Sequence, residues 1–269
     1  MDLQSDWGKY RPTTKGDFIS RLISMGLSRG SVRKKLYSYW VKSFGPIIDC
    51  EIRGIKYRLK VDDNLTDKKL FFSRAEKDNE EIDFLSEACS GKTFVDIGAN
   101  IGYYSLTLAK QGASRVAAVE PNPEAIGRLN YNIKINGFDS KVSVAPFGAA
   151  DGESFELDVS GNLGIASICN ENKGEKTIKI QTKPLIEILA ELKVESIGGL
   201  KIDIEGAEDK ALAPFLKAAE NKLLPEAIVL ELAHKNCWQE DLQDMLVKSG
   251  YNLVRKTNGN GLYKKNKTQ

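Results

Sequence analysis

Histidine is almost absent from this 269-residue chain: the single one is His234. Its four cysteines, Cys50, Cys89, Cys169 and Cys237, are widely scattered and form no CxxC or Cys/His cluster. That spacing argues against a structural zinc site, and a chain this long needs no disulfide framework. The four thiols are therefore expected to be reduced and mostly buried. No apolar run approaches the roughly 18 residues of a membrane-spanning helix. The opening "MDLQSDWGKY" lacks the basic-then-apolar build of a secretion signal, so a cytoplasmic location is expected. Internal repeats and low-complexity stretches are also missing.

What is present is an ordinary globular composition, 41% hydrophobic and 28% charged, with a net charge of only +2. That small number hides an asymmetry. Residues 1–77 carry 17 Lys/Arg against 9 Asp/Glu, residues 78–247 carry 16 against 28, and residues 248–269 carry 6 against none. Basic ends around an acidic body suit either solvated segments or contact with acidic or phosphate-rich partners.

From residue 93 onward apolar runs alternate with helical patterns. Strands are expected at "TFVDI" (93–97), "RVAAVE" (115–120), "KVSVAPF" (141–147), "GLKIDI" (199–204) and "EAIVLEL" (226–232). Helices are expected at 102–112, at 123–137 between Pro123 and Gly137, and at "AEDKALAPFLKAAE". These strands show no period-two polarity, as in a sheet covered on both faces. The reading is a doubly wound, largely parallel α/β domain over residues 91–269.

Residues 152–182 break the rhythm. "ESFELDV" and "KTIKIQT" alternate and read as antiparallel excursions around the loop "SGNLGIASICNENKG", an insertion suited to wall a site at the strand ends. Residues 1–90 read as an N-terminal cap: two basic amphipathic helices broken at Gly30, then a hairpin "DCEIRGIKYRLKV" turning at Arg53-Gly54. The basic helices either pack on the domain or touch a membrane surface or nucleic acid.

"VDIGANIGYYSL" (95–106) follows a strand and opens a helix, the context that gives a glycine-rich loop meaning. Gly98 and Gly102 remove side chains where backbone approaches a ligand, and Asn100 tolerates an unusual turn. The spacing is not the GxGxxG of a dinucleotide site. Asp96 at the strand end can take a cationic group, and Glu120 at the end of the next strand can take both ribose hydroxyls. An acid in place of a phosphate cradle suits a ligand with an ammonium group and a ribose. S-adenosylmethionine has both.

"VDIGANIGYYSL", "VEPNP", "KIDIEGAE" and "IVLEL" together resemble the FkbM family of S-adenosylmethionine-dependent methyltransferases, over roughly residues 90–256. The resemblance implies a class I, Rossmann-like fold with a seven-stranded sheet whose last strand is antiparallel, "YNLVRK" and "GLYKKN" supplying the final hairpin. It implies methyl transfer to a hydroxyl of a sugar, glycan or small metabolite. By position it places Asp96, Gly98, Ala99, Asn100, Gly102, Glu120, Pro121, Asn122, Ala149 and Asp151 at the cofactor. The chain departs from the family in "TKPLIEIL" (182–189), where a "TLDEL"-like turn is common, and in the spacing of His234, three residues after Glu231.

A hydroxyl acceptor needs a base or a metal for its proton. Asp203 and Glu205 after strand four, and Glu231 and His234 after strand five, are the catalytic candidates, His234 because it titrates near neutrality. A divalent ion on Asp203, Glu205 and Glu231 is chemically conceivable, but no metal is expected. Glu208 reads as a helix-start charge, and Tyr103 and Tyr104 as core. Two alternatives stand beside this reading. One is an RNA (tRNA) methyltransferase, since "VEPNPEAIGRLNYNIKINGF" is similar to tRNA guanine methyltransferases, although no [DN]PP[YF] motif follows strand four. The other is a non-catalytic cofactor-binding partner domain. Oligomeric state and the acceptor's identity are not legible.

Overall fold

Strands drawn from residues 93–145 and 199–265 build one seven-stranded sheet, beside a two-stranded and a three-stranded one. The computed structural model describes residues 1–24, 31–73, 78–158, 177–257 and 259–266. The N-terminal part supplies α1 (Thr14–Ser24), α2 (Ser31–Phe44), β1 (Ile47–Ile52), β2 (Ile55–Lys60), α3 (Leu65–Ser73) and α4 (Asn79–Cys89). The alternating part follows as β3 (Thr93–Ile97), α5 (Tyr103–Lys110), β4 (Arg115–Val119), α6 (Pro123–Ile135) and β5 (Val142–Ala145). An excursion adds β6 (Gly148–Ala149), β7 (Ser154–Asp158) and β8 (Thr177–Lys183). The chain then resumes with α7 (Leu185–Glu191), β9 (Gly199–Ile202), α8 (Glu208–Ala218), β10 (Ala227–Glu231), α9 (Leu242–Lys248), β11 (Tyr251–Lys256) and β12 (Asn260–Lys265).

The strand order is β11-β12-β10-β9-β3-β4-β5. β3, β4, β5, β9 and β10 run parallel, while β12 pairs antiparallel with β10 and β11 with β12. The order reverses between β3 and β9, and the crevice outside the carboxyl ends at such a switch point is where open α/β sheets bind ligands. The expected seven-stranded, Rossmann-like sheet with an antiparallel final hairpin is what forms.

Successive strand residues enter opposite cores, which explains the missing polar alternation. Phe94, Val116 and Ala118 join one apolar cluster with α4, α5 and α6; Val95, Ile97, Ala117 and Val119 join the other with α7, α8 and α9. The first cluster also takes in Trp40, Ile48, Tyr57 and Leu59, so the N-terminal cap and the sheet share one continuous core. The cap is further pinned by Arg58, wholly buried, which donates to both carboxylate oxygens of Asp49 at 2.7 and 2.8 Å and to the Ser5 and Asp6 carbonyls at 2.9 and 2.7 Å.

The hairpin turns at Arg53-Gly54 as expected, with φ of 51° and 72°, the pair of left-handed residues that a two-residue hairpin loop requires. β7 and β8 are antiparallel, also as expected. The break at Gly30 and the loop "SGNLGIASICNENKG" lie outside the described residues. Four strands are shorter than the sequence suggests, β4 and β10 by single end residues and β5 and β9 by more. β5 ends at Ala145, and β9 ends at Ile202 because the chain bends at Glu205 and Gly206, both at positive φ (55° and 104°). The expectation of reduced thiols holds at Cys50 and Cys89 but fails at Cys237, which is disulfide-bonded; spacing along a chain does not report which residues meet in space. Among the described residues no helix is long and apolar enough to cross a membrane.

Candidate active site

The loop from Gly98 to Gly102 leaves β3 through three residues at positive φ, Gly98 (81°), Asn100 (50°) and Gly102 (92°). The glycines have a reason of their own. A Cβ on Gly98 would lie 2.0 Å from the Asp203 carbonyl oxygen, and one on Gly102 would lie 2.5 Å from Cδ1 of Leu129. The first contact lets the end of β9 pass under the loop, and the second lets α6 pack on α5. Both glycines are thus required by the chain's own packing, whether or not a ligand approaches.

Glu120, at the end of β4, staples this loop to the next one. Its Oε2 accepts the Asn100 N–H at 2.8 Å and its Oε1 accepts the Asn122 N–H at 2.9 Å. Burial pushes its pKa up to about 7 against these bonds. Asn122 caps α6 by accepting the Glu124 N–H at 2.9 Å, while its buried Nδ2 has no partner among the described residues. Ala99 is buried beside Asn100, and Pro121 is half-buried between Glu120 and Asn122. Asp96 accepts the Ser105 hydroxyl on Oδ2 at 2.6 Å; its Oδ1 is buried, unpartnered, and 4.0 Å from Lys201 Nζ. Ala149 is buried in β6, and Asp151 is exposed in the turn after it, where its Oδ1 accepts the Glu153 N–H at 3.3 Å.

The second half of the site lies across the crevice. Asp203 follows β9 directly, and Lys201, two residues earlier and on the same face, places Nζ 3.2 Å from its Oδ2. Lys201 is 7% exposed and its Nζ also stands 5.0 Å from the centre of the Tyr104 ring. Burial opposes the charge on Lys201, but Asp203 and Asp96 outweigh it and hold its pKa above the ordinary lysine value. Burial likewise opposes ionisation of Asp203; Lys201 and a hydrogen bond from Glu231 outweigh it and lower its pKa. Glu231, at the end of β10, shows the reverse. Burial, then the Asp203 charge and that hydrogen bond, push its pKa up to about 9. The two carboxyls therefore share one proton, which Glu231 carries near neutrality.

Glu205 and His234 meet: Oε2 and Nε2 are 2.9 Å apart. Burial and the Asp203 charge raise the Glu205 pKa. Glu208 sets this meeting up. It is fully buried, its Oε1 accepts the Ile204 and Gly206 N–H groups at 2.9 and 3.2 Å, and its Oε2 accepts Trp238 Nε1–H at 2.7 Å. Asp209 adds a bond from the Gln239 N–H at 2.7 Å. The loop after β10 is thereby tied to the start of α8, opposite the bend that carries Glu205. A carboxylate that closes a turn and anchors a distant indole does more than complement a helix dipole, so the helix-start reading of Glu208 was too narrow.

The side chains of all four catalytic candidates thus come together beyond the carboxyl ends of β9 and β10. Ligating atoms of Glu205, Glu231 and His234 fall within 4.8 Å of one another, a grouping that takes in His234 where the sequence pattern suggested Asp203. Tyr103 and Tyr104 are buried in the core. Lys201 was the residue missed. Its signal was present in "KIDIEGAE": a lysine two positions from an aspartate inside an apolar strand needs an acidic partner once buried.

A model of the Methyltransferase FkbM domain matches residues 96–252, more than half of the chain. The chain belongs to the FkbM methyltransferase family. Over 92 residues it is 41% identical to the tRNA wybutosine-synthesizing protein 2 homolog of Danio rerio, which covers 32% of this chain and 21% of that protein. Over 125 residues it is 30% identical to the tRNA(Phe) (4-demethylwyosine(37)-C(7)) aminocarboxypropyltransferase of Pyrococcus horikoshii, covering 46% of this chain and 42% of that one. The chain thus spans less than half the length of these relatives. The crystal structure of an FkbM methyltransferase from Methylobacillus flagellatus aligns at 19% identity and TM-score 0.45, covering 93% of this chain and 59% of that one.

S-adenosylmethionine is the cofactor this family assignment carries, and the residues fit it. Each Glu120 oxygen receives one backbone N–H and keeps a lone pair for a ribose hydroxyl. Asn122 Nδ2, buried without a hydrogen-bond partner among the described residues, is a polar atom that a bound polar ligand would satisfy.

Proposed function

We propose that this chain transfers a methyl group to a hydroxyl oxygen of a small-molecule or saccharide acceptor. The observation that carries the reading is the 2.9 Å contact between Glu205 Oε2 and His234 Nε2, which holds the chain's only imidazole at the mouth of the crevice. With Nε2–H donated to Glu205, Nδ1 is the nitrogen left to take a proton. S-adenosylmethionine supplies the methyl group on a sulfonium, whose C–S electron pair leaves with the sulfur. The protein's work is to hold the acceptor oxygen about 3 Å from that carbon and to receive its proton at His234. Ionised Asp203 accepts a hydrogen bond from a hydroxyl of the acceptor next to the reacting one, while Glu231 gives its one proton to Asp203 and holds that carboxylate in place. Lys201 keeps that division of the proton.

The test is methyl transfer from labelled S-adenosylmethionine across a panel of sugars, glycans and hydroxylated metabolites. His234→Ala should lower turnover at least a hundredfold with the affinity for S-adenosylhomocysteine unchanged. Unaltered turnover would remove His234 as base, and binding of S-adenosylhomocysteine by a wild-type chain that turns over no acceptor would leave a binding domain.

A second reading rests on the two tRNA-modifying relatives: the acceptor is a tRNA nucleobase. Parallel reactions with the label in the methyl group and in the aminocarboxypropyl group separate the chemistries. Incorporation of either label into tRNA, with none into hydroxyl acceptors, would replace the first reading by this one.

A further inference from the structure

Among the described residues, side chains of the N-terminal cap hydrogen-bond to the glycine loop at Asn100. Asn64, 1% exposed, precedes α3, and its Oδ1 accepts the Thr66 N–H at 2.8 Å and the Asp67 N–H at 3.4 Å. Those bonds make it the capping residue of α3 and leave its amide no freedom to turn. Its Nδ2 is consequently aimed outward, and it donates to Asn100 Oδ1 at 2.9 Å. Asn100 Nδ2 in turn reaches Thr66 Oγ1 at 3.5 Å.

Asn100 needs such support. It sits at φ 50°, a left-handed conformation that asparagine adopts more readily than most residues but that its surroundings still have to hold, and its N–H must point at Glu120 to complete the staple. The same cap segment grips the other side of the loop pair. Asp63 accepts from Arg128 at 2.7 and 3.0 Å and Asp67 from the same guanidinium at 3.3 Å. Arg128 lies in α6, the helix that starts just after Glu120 and Asn122. Residues 63–67 thus clasp the chain after β3 through Asn100 and the chain after β4 through Arg128.

We propose that Asn64 is a positioning residue for the cofactor: a side chain of the cap, outside the sheet and the glycine loop, that fixes Asn100 and with it the ligand-binding conformation of residues 98–102. The role rests on the reading that this loop holds S-adenosylmethionine. A loop already in its bound conformation binds more tightly because less ordering remains to be done on binding.

The experiment is calorimetric titration of the full chain with S-adenosylhomocysteine, with melting temperatures and the KM for S-adenosylmethionine measured in parallel. Asn64→Ser keeps an oxygen for the Thr66 N–H but is too short to reach Asn100. Its Kd and KM should rise about five- to tenfold, as for one lost hydrogen bond, with kcat retained. Asn64→Asp keeps the cap, and the Asn100 amide can turn over to donate to the new carboxylate, so its affinity should stay within about twofold of wild type. Asn100→Ala removes the contact from the loop side. In combination with Asn64→Ser it should bind no worse than the weaker single variant, because one contact cannot be lost twice. Wild-type affinity in a folded Asn64→Ser, or additive losses in the double variant, would overturn the role of Asn64. A wild-type chain that does not bind S-adenosylhomocysteine would overturn the cofactor reading on which that role rests.

Discussion

Lys201 Nζ lies 3.2 Å from Asp203 Oδ2 and 4.0 Å from Asp96 Oδ1, so one buried ammonium joins the end of β3 to the end of β9. Asp96 and Lys201 are register partners on adjacent strands. The cation neutralises carboxylates that neither half of the site could bury alone.

Replacing it should therefore damage both halves. Lys201→Met is expected to cost about 3–5 kcal/mol of stability, the usual consequence of leaving buried charge unpaired. Turnover should fall at least tenfold in whatever fraction remains folded. Urea denaturation and a methyl-transfer assay on the same preparation check both; a stable, active Lys201→Met would show that the ion pair is incidental.

Glu231 makes stability depend on pH in a defined sense. Its pKa rises from about 4.5 in the unfolded chain to about 9 in the folded one, so the folded state keeps a proton that the unfolded state has lost. Its contribution is fully present below pH 4.5 and disappears as pH rises toward 9. Glu231→Gln mimics the protonated form and removes this dependence. The variant's stability relative to wild type should climb steadily between pH 5 and 9 in chemical denaturation. A pH-independent difference would mean that Glu231 titrates normally.

Glu208 anchors three donors from a fully buried position. Glu208→Ala strands the Ile204 and Gly206 N–H groups and the Trp238 indole, and should cost about 3 kcal/mol. Its effect on turnover should exceed that of Trp238→Phe, which loses only the bond to the loop carrying His234. Melting curves and kcat for the two variants rank them.

The cap should prove inseparable from the sheet. Asp49→Ala leaves the buried Arg58 without its carboxylate and should cost about 3–5 kcal/mol. Removing residues 1–6 should also destabilise, because the Ser5 and Asp6 carbonyls are bonded to the same guanidinium. A sheet that melts at the wild-type temperature without those residues would show the cap to be an independent appendage.

Much of this molecule is legible before any coordinates. "TFVDI", "RVAAVE" and "EAIVLEL" announce strands by composition, Pro123 and Gly137 bracket α6, and Arg53-Gly54 marks its hairpin, because these signals act within a few residues. The site was legible only in part. Asp96, Glu120, Asp203 and Glu231 could be placed because strand ends converge at a switch point. Lys201 stands two positions from its nearer acid, Asp203, but that it is buried, and that it also faces Asp96 105 positions away, shows only in the folded chain.

Local pattern alone decides that this chain alternates strand and helix, which glycines turn the loop after β3, and which acids end the strands. Those outcomes depend on backbone sterics and side-chain periodicity over short spans. Only the tertiary structure decides that Glu231 is pushed up while Asp203 is held down, that His234 faces Glu205, and that Asn64 from the cap meets Asn100. Each of these depends on burial and on charges brought within about 3 Å by elements distant in the chain, where the low local dielectric lets a single neighbour settle the state of a group.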